Sequence, residues 1–146
     1  MSMNRRLLPA ALAFAGLLGA TAAWAQSETL PSVTTQGLIS YISGGVGSDE
    51  AAALRRAAPS YPLTLELAVP SGGPRDAYIA DAKVEIRDQQ GHTMLSTQSE
   101  GPLFLVRVPS GQYTVEVAWN GSVRRKTVDV TAGKPQHVFF EFRNAG

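Results

Sequence analysis

The sequence predicts an all-β protein, a sandwich of two antiparallel sheets with one short helix towards its N-terminal end. Large residues alternate with small or polar ones in several short segments, most clearly from Tyr113 to Trp119. That period of two places the large side chains on one face of a strand. Turn signals separate these segments about every ten residues, which is typical of a sandwich. One segment, about 49–57, carries a helix pattern instead.

The first 25 residues are expected to be a cleaved signal peptide. Arg5-Arg6 precedes an apolar run, and Ala23-Trp24-Ala25 supplies small residues where signal peptidase reads them, so cleavage is predicted before Gln26. A membrane anchor is the alternative, but the run is shorter than the roughly 20 residues that a spanning helix needs. We therefore expect a periplasmic or secreted protein without a membrane span after cleavage.

Composition narrows the partners and the chemistry. Removing Arg5-Arg6 leaves 11 basic residues against 12 acidic ones, a net charge of −1 for the mature chain. Such a balance predicts no nucleic-acid partner. The chain has 0 cysteines, which excludes disulfides, a thiolate nucleophile and cysteine-based metal sites. The expected organisation is one domain: a flexible lead-in, glycine-rich loop and short helix over residues 26–60, then the sandwich over residues 61–143.

The predicted helix has charges suited to both of its ends. Ser48 is the expected cap, Asp49-Glu50 lies in the positive first turn, Arg55-Arg56 lies in the negative last turn, and Pro59 prevents continuation. The preceding Gly45-Val46-Gly47 matches half of a dinucleotide-binding fingerprint, but Glu50 stands where its third glycine belongs. A structural loop is therefore favoured over a phosphate site.

Strands are predicted over residues 37–42, 63–69, 82–86, 93–97, 103–108, 113–119, 127–130 and 138–142. The segment Leu103–Val108 is apolar on both faces, which indicates a strand covered on both sides, with the short helix as its second cover. Asn120-Gly121 favours a type I′ hairpin because both residues tolerate positive φ.

Three segments resemble a known family. Ala80–Ile86, Asp88-Gln89-Gln90-Gly91 and Pro109–Val115 are similar to the strand, turn and Pro-x-Gly-x-Tyr-x-Val strand of the carboxypeptidase regulatory-like domain. The resemblance covers roughly Tyr61 to Phe142 and implies an antiparallel Ig-like or prealbumin-like (transthyretin-like) sandwich. It implies an accessory, adhesive or ligand-binding module rather than one particular activity.

Candidate chemical groups are few. His92 and His137 are expected to be ordinary surface residues, because they lack the spacing of metal ligands. Asp76, Asp81 and Asp88 lack the spacing of a calcium loop. The basic run Arg124-Arg125-Lys126 is read as a solvated strand that discourages edge pairing, and its functional alternative is an anion or polymer contact.

The sequence thus predicts no catalytic, cofactor-binding or metal-binding residue. The leading hypothesis is a non-catalytic binding protein of the cell envelope, whose partner is an envelope protein or polymer. Its contacts would come from the loops Ser43–Ser48 and Pro70–Asp76 or from an exposed strand edge. The alternatives are an enzyme with an unrecognised site and a carbohydrate-binding module, which would need Trp119 and Tyr41 exposed on one flat face.

Overall fold

A computed structural model describes residues 30–70 and 77–143 of the chain. The predicted signal peptide, Asp76 and residues 144–146 lie outside the described residues. The secondary structure consists of β1 (Thr34–Gln36), β2 (Ile39–Gly44), α1 (Ser48–Ala57), a 3₁₀ turn (Ala58–Ser60), β3 (Leu63–Val69), β4 (Ala77–Tyr78), β5 (Lys83–Arg87), β6 (Thr93–Gln98), β7 (Leu103–Arg107), β8 (Gly111–Trp119), β9 (Ser122–Val130) and β10 (Gln136–Glu141).

The strands form two sheets, as predicted. The first has six strands in the order β1-β2-β7-β3-β10, with β4 also paired to β3, and the second has four in the order β6-β5-β8-β9. The main core lies between them and includes Phe104 and Phe140 from the first sheet and Ile86 and Val115 from the second. The all-β sandwich with one short α-helix is therefore confirmed.

One pairing differs from the predicted antiparallel arrangement. Strands β3 and β10 are parallel, with Leu63 opposite Gln136 and Ala68 opposite Glu141. The chain enters β10 from β9 of the other sheet, through residues 131–135, and not through a hairpin from β3. The direction of β10 therefore follows from that crossing between sheets, which periodicity does not reveal.

The sandwich also includes strands that precede residue 61, where the sequence analysis placed its start. Strand β2 pairs with β7 over five residues, from Ser40 opposite Arg107 to Gly44 opposite Leu103. Strand β1 begins at Thr34, inside the expected flexible lead-in, and forms a hairpin with β2. The strand predicted at 37–42 corresponds to β2. Its place inside a sheet depends on β7, whose paired residues lie about 65 positions further along the chain.

Helix α1 lies on the outer face of the first sheet and forms a second, smaller apolar cluster. Its Leu54 packs with Ile42 of β2 and with Leu103 and Leu105 of β7, all essentially buried. In β7, Phe104 and Val106 point into the main core instead. The prediction that this strand is covered on both sides, once by the helix, is confirmed.

The predicted helix cap was wrong. Gly47 is the N-cap residue, no side chain caps it, and Ser48 is the first helical residue. Glu50 serves the entry to the helix instead, because its Oε1 accepts a hydrogen bond of 2.7 Å from the Gly45 amide. The carboxylate reaches back over the loop, as in a capping box displaced by two residues.

The predicted hairpin turn is confirmed in its backbone angles. Asn120 has φ 49° and Gly121 has φ 80°, and Trp119 pairs directly with Ser122. Two positive φ values in a two-residue loop match the right-handed twist of the flanking strands. The turn therefore fixes the register of the whole β8–β9 pair.

Candidate functional site

A groove beside α1 is one of the concave surfaces in the part of the chain that the structure describes, and it joins an apolar end to a group of polar side chains. Two adjoining cavities of about 210 and 290 Å³ share Arg55, Ala58, Thr64 and His137. We call their union the helix-side groove. The cavities together are comparable to the smaller pockets that bind ligands in proteins, roughly 300 Å³ upwards.

The groove exists because α1 is short and lies to one side of the sheet. The helix contacts β2 and β7, so the outer faces of β3 and β10 extend beyond it. Leu54, Leu103 and Leu105 line the inner cavity, whereas Pro59 and Pro135 line the outer one. The inner end is thus apolar, and polar side chains stand where the groove opens.

Glu66 links two of the polar side chains that line the groove, Arg55 and His137. It is on β3 and accepts hydrogen bonds from Arg55 of α1, at 3.0 Å to Nη2 and 3.4 Å to Nη1. His137 of β10 completes the group, with its Nε2 2.7 Å from Oε2 of Glu66. Because a carboxylate only accepts, Nε2 carries the proton in this contact. Three elements are thereby joined across the groove.

The imidazole of His137 is also held by a neighbouring ring. Its plane lies within 7° of the plane of Phe139, with ring centroids 4.4 Å apart. Both side chains are on the outer face of β10, and both are substantially exposed, 41% for the His137 side chain and 49% for Phe139. The stacked pair and Glu66 together fix the orientation of the imidazole.

Sequence reasoning missed this cluster. It treated His137 as a solvated residue and Arg55 as a helix-end charge, and it assigned no role to Glu66. The three lie far apart in the chain, and only the parallel β3–β10 pairing brings His137 and Glu66 within reach. The one available signal was that Glu66 is the single charged residue of its strand, Leu63–Val69.

The other histidine is where the sequence placed it. His92 ends the turn after β5, its side chain is 76% exposed, and its Nδ1 lies 3.2 Å from Oδ2 of Asp88. Asp88 organises this turn by accepting from the backbone amides of Gln90 and His92. Desolvation opposes ionisation of Asp88, but these hydrogen bonds outweigh it and lower the pKa of the carboxyl.

The glycine-rich loop makes its contacts within the fold. The Gly45 amide, which a bound phosphate would need as a donor, already donates its hydrogen bond to the carboxylate of Glu50. Gly101 packs against the same loop, since a Cβ on it would lie 2.3 Å from the carbonyl oxygen of Gly44. Of the other predicted contact loop, 70–76, only Pro70 is among the described residues.

The two rings of the carbohydrate hypothesis do not share an exposed face. Tyr41 is buried in the main core and stacks on Phe104 with centroids 4.8 Å apart. Trp119 is half-buried and meets Phe142 edge to face at 5.8 Å. Both rings therefore serve the packing between the sheets.

No group of three or more His, Cys, Asp and Glu side chains could hold a metal ion in the described residues. Within the same ranges, no helix has the length and apolar character to cross a membrane.

No family model matches the chain, and no curated protein matches it. Among solved structures the chain is similar to "The Bacillus anthracis TIE protein", with a TM-score of 0.42 and 11% sequence identity, over 56% of this chain and 16% of that chain.

Proposed function

We propose that this is an exported, non-catalytic binding protein of the cell envelope, and that it binds its partner through the helix-side groove. The partner is a segment of an envelope protein or polymer, and the mature protein is periplasmic or secreted. The predicted leader over residues 1–25 supports export. The groove itself carries the proposal for binding.

The groove has the features that a binding surface needs. It combines an apolar inner end, at Leu54 and Leu105, with a polar opening. Its polar groups are already ordered, since Glu66 holds both Arg55 and His137 in place. An ordered site loses less conformational entropy when a partner binds. A partner with an apolar side chain and a polar flank would match this pattern.

We further propose that the sandwich belongs with the carboxypeptidase regulatory-like and prealbumin-like domains. One contact among the residues of the resemblance supports this proposal. The Tyr113 hydroxyl donates a 2.7 Å hydrogen bond to the Pro109 carbonyl and so closes the turn that begins β8. Burial, with a smaller contribution from Asp88, raises the pKa of Tyr113, which keeps the phenol protonated as a donor.

Export is tested by following the chain in cells. The full-length protein, expressed in a Gram-negative host, should be recovered from the periplasmic or extracellular fraction with Gln26 as its N-terminal residue. N-terminal sequencing and intact mass give the cleavage site. An uncleaved chain that stays with the membrane or the cytoplasm would contradict the proposal.

Binding is tested by filling the groove. Ala58 lines both of its cavities and is half-buried, so Ala58→Arg would obstruct it. Ala118, half-buried on the outer face of the second sheet, gives the matched control Ala118→Arg. The mature wild type and Ala118→Arg should capture the same envelope component, and Ala58→Arg should lose it. Equal capture by all three would exclude the groove.

One observation favours an enzyme as the second candidate. The pair of His137 with Glu66 resembles a general base oriented by a carboxylate, and Thr64 lies opposite His137 in the β3–β10 register and lines the groove. No hydrogen bond joins Thr64 to His137 among the described contacts, so the nucleophile and base are not coupled as such a mechanism requires. Ester or amide hydrolysis that disappears in both Thr64→Ala and His137→Ala would favour this candidate over binding alone.

A further inference from the structure

Strand β10 has one open edge. The amides of Gln136 and Phe142 donate to the carbonyls of Pro62 and Ala68, on the side of β3. Because backbone groups alternate in direction along a strand, those of His137, Phe139 and Glu141 point the opposite way. No strand of the described ranges pairs with β10 on that side. Such an edge is a template for another strand.

Two cations from β9 occupy this edge. The ammonium of Lys126 donates to the carbonyl of Phe139, and Nε of Arg124 donates to the carbonyl of Glu141 at 3.2 Å. Gln136 ties the strands together in the other direction, by donating its side-chain amide to the carbonyl of Asp129. Two of the carbonyls that an added strand would need, those of Phe139 and Glu141, are therefore already bonded.

The same two cations also cover the end of the core. The Lys126 ammonium lies 5.4 Å from the ring centroid of Phe140, and the Arg124 guanidinium lies 5.6 Å from that of Phe142. Arg124 and Lys126 lie on the same face of β9 as the core residues Val128 and Val130, so their side chains point towards the first sheet. Arg125, between them, points outwards and pairs with Glu116 at 2.5 Å. Inward-pointing charges on an edge strand are a known means of preventing strand addition.

We propose that Arg124 and Lys126 form an edge guard, which prevents β10 from pairing with β10 of a second copy of this chain. The guard goes beyond the proposed function, because it lies on the open edge of β10 and β9 and not in the helix-side groove. Removing it would join two first sheets into one continuous sheet, related by a two-fold axis.

A second copy is the occupant that the edge itself specifies. Antiparallel pairing centred on Phe139 places this residue opposite its own counterpart, and both have backbone groups directed across the edge. The same register places His137 opposite Glu141 of the second copy, and the reverse, so no like charges face each other across the pair. Phe139 is exposed in the single chain, and this pairing would cover it. The interface is therefore self-complementary in its backbone and apolar contacts.

The test is to remove the guard's donors while keeping its packing. In the mature protein, the double variant Arg124→Leu/Lys126→Met retains apolar stems over Phe140 and Phe142 but cannot bond the β10 carbonyls. It should be a folded dimer at concentrations where the wild type is a monomer, as measured by light scattering after size exclusion. Arg125→Leu, from the same basic run but on the outer face, is the matched control and should stay monomeric.

The register is tested by cross-linking. Because the chain has 0 cysteines, a single Phe139→Cys substitution reports only on this contact. It should form a disulfide-linked dimer in the double variant on mild oxidation, and it should remain unlinked when the guard is intact. Thr127→Cys, exposed on β9, should not cross-link in either background.

Two results would overturn the proposal. One is a double variant that is folded, by circular dichroism and cooperative melting, and still monomeric. The other is loss of folding in both the double variant and the single variant Lys126→Met, because the cations would then serve the core and not the edge. A dimer that fails to cross-link at position 139 would refute the register, and with it the identity of the guarded edge.

Discussion

The outer faces of the two sheets differ in polarity, and therefore in whether they must be covered from solvent. On the first sheet the outward-facing residues are apolar in β2 and β7, where Ile42, Leu103 and Leu105 lie beneath α1. On the second sheet those of β5 are charged, and Nζ of Lys83 lies 3.1 Å from Oε1 of Glu85. A face of leucines must be covered to be stable, whereas a face of paired charges is stable in contact with solvent.

The charged face is a network rather than a set of isolated pairs. Arg87 contacts Glu85 at 2.8 Å and Glu116 at 3.8 Å, and Glu116 also accepts from Arg125. On the covered face Glu66 likewise accepts from two side chains, Arg55 and His137, but Arg55 belongs to the helix. The helix-side groove follows from the cover of the first sheet: a third layer that covers only part of a sheet leaves a concave margin.

The largest effect is expected from opening the covered face. Leu105→Ala removes a fully buried side chain from the cluster beneath α1, which typically costs about 2–5 kcal/mol of unfolding free energy. Thr127→Ala, at an exposed position of β9, should change it by less than about 0.5 kcal/mol. Urea unfolding of both variants measures the contrast. Similar values for the two would mean that the helix layer contributes little.

A second variant tests the close backbone contact beside the helix entry. Gly101→Ala would place a Cβ 2.3 Å from the Gly44 carbonyl oxygen, and relieving such overpacking costs about 1–3 kcal/mol. Gly47→Ala meets open space and should cost about 0.5–1 kcal/mol, the cost of a poorer cap. Thermal unfolding compares them. A neutral Gly101→Ala would show that the loop moves freely away from β2.

Coupling energies compare one polar pair from each face: His137 with Glu66 on the first sheet, and Lys83 with Glu85 on the second. A double-mutant cycle with His137→Ala and Glu66→Ala should give a coupling of about 0.5–1.5 kcal/mol, because the bond is short and Glu66 is largely shielded at the sheet surface. The Lys83–Glu85 pair, with a well-exposed lysine, should give about 0.2–1 kcal/mol. A coupling near zero for His137 and Glu66 would mean that the groove's polar groups are not pre-ordered.

The smallest effect is expected from pH on the charged face. The hydrogen bond from Lys83, assisted by Arg87, holds the pKa of Glu85 below its usual value of 4.5. A lowered pKa in the folded state stabilises the protein above the unfolded-state pKa, and this contribution is lost as pH falls through the folded-state value. Glu85→Gln should therefore cost about 0.2–1 kcal/mol near pH 7 and nothing well below pH 4.

Added salt should reduce the Glu85→Gln difference at neutral pH, because the pair is screened by water and ions. A carboxyl titration followed by NMR measures the pKa directly. An ordinary pKa, or a loss of stability that persists in acid, would contradict an electrostatic origin.

Local patterns determined most of the elements. The alternation in β8 predicted its inward face, Asn120-Gly121 predicted the hairpin, and the double apolar face of Leu103–Val108 predicted the helix as a second cover. The prediction of Ser48 as the helix cap was wrong because it used only the residue type. In the structure Gly47 is the N-cap, and the Glu50 carboxylate accepts from the Gly45 amide of the preceding loop. Turn and strand signals act over a few residues, and for that reason they can be read in order along the chain.

By itself the sequence determined an all-β sandwich with one short helix, because side-chain periodicity and turn chemistry are local properties. Only the tertiary structure decided that β10 runs parallel to β3, that Glu66 meets Arg55 and His137, and that Lys126 reaches the backbone of Phe139. These contacts join residues from different strands and the helix, and no spacing in the sequence encodes them. The candidate groove and the guarded edge therefore both follow from how the strands are ordered.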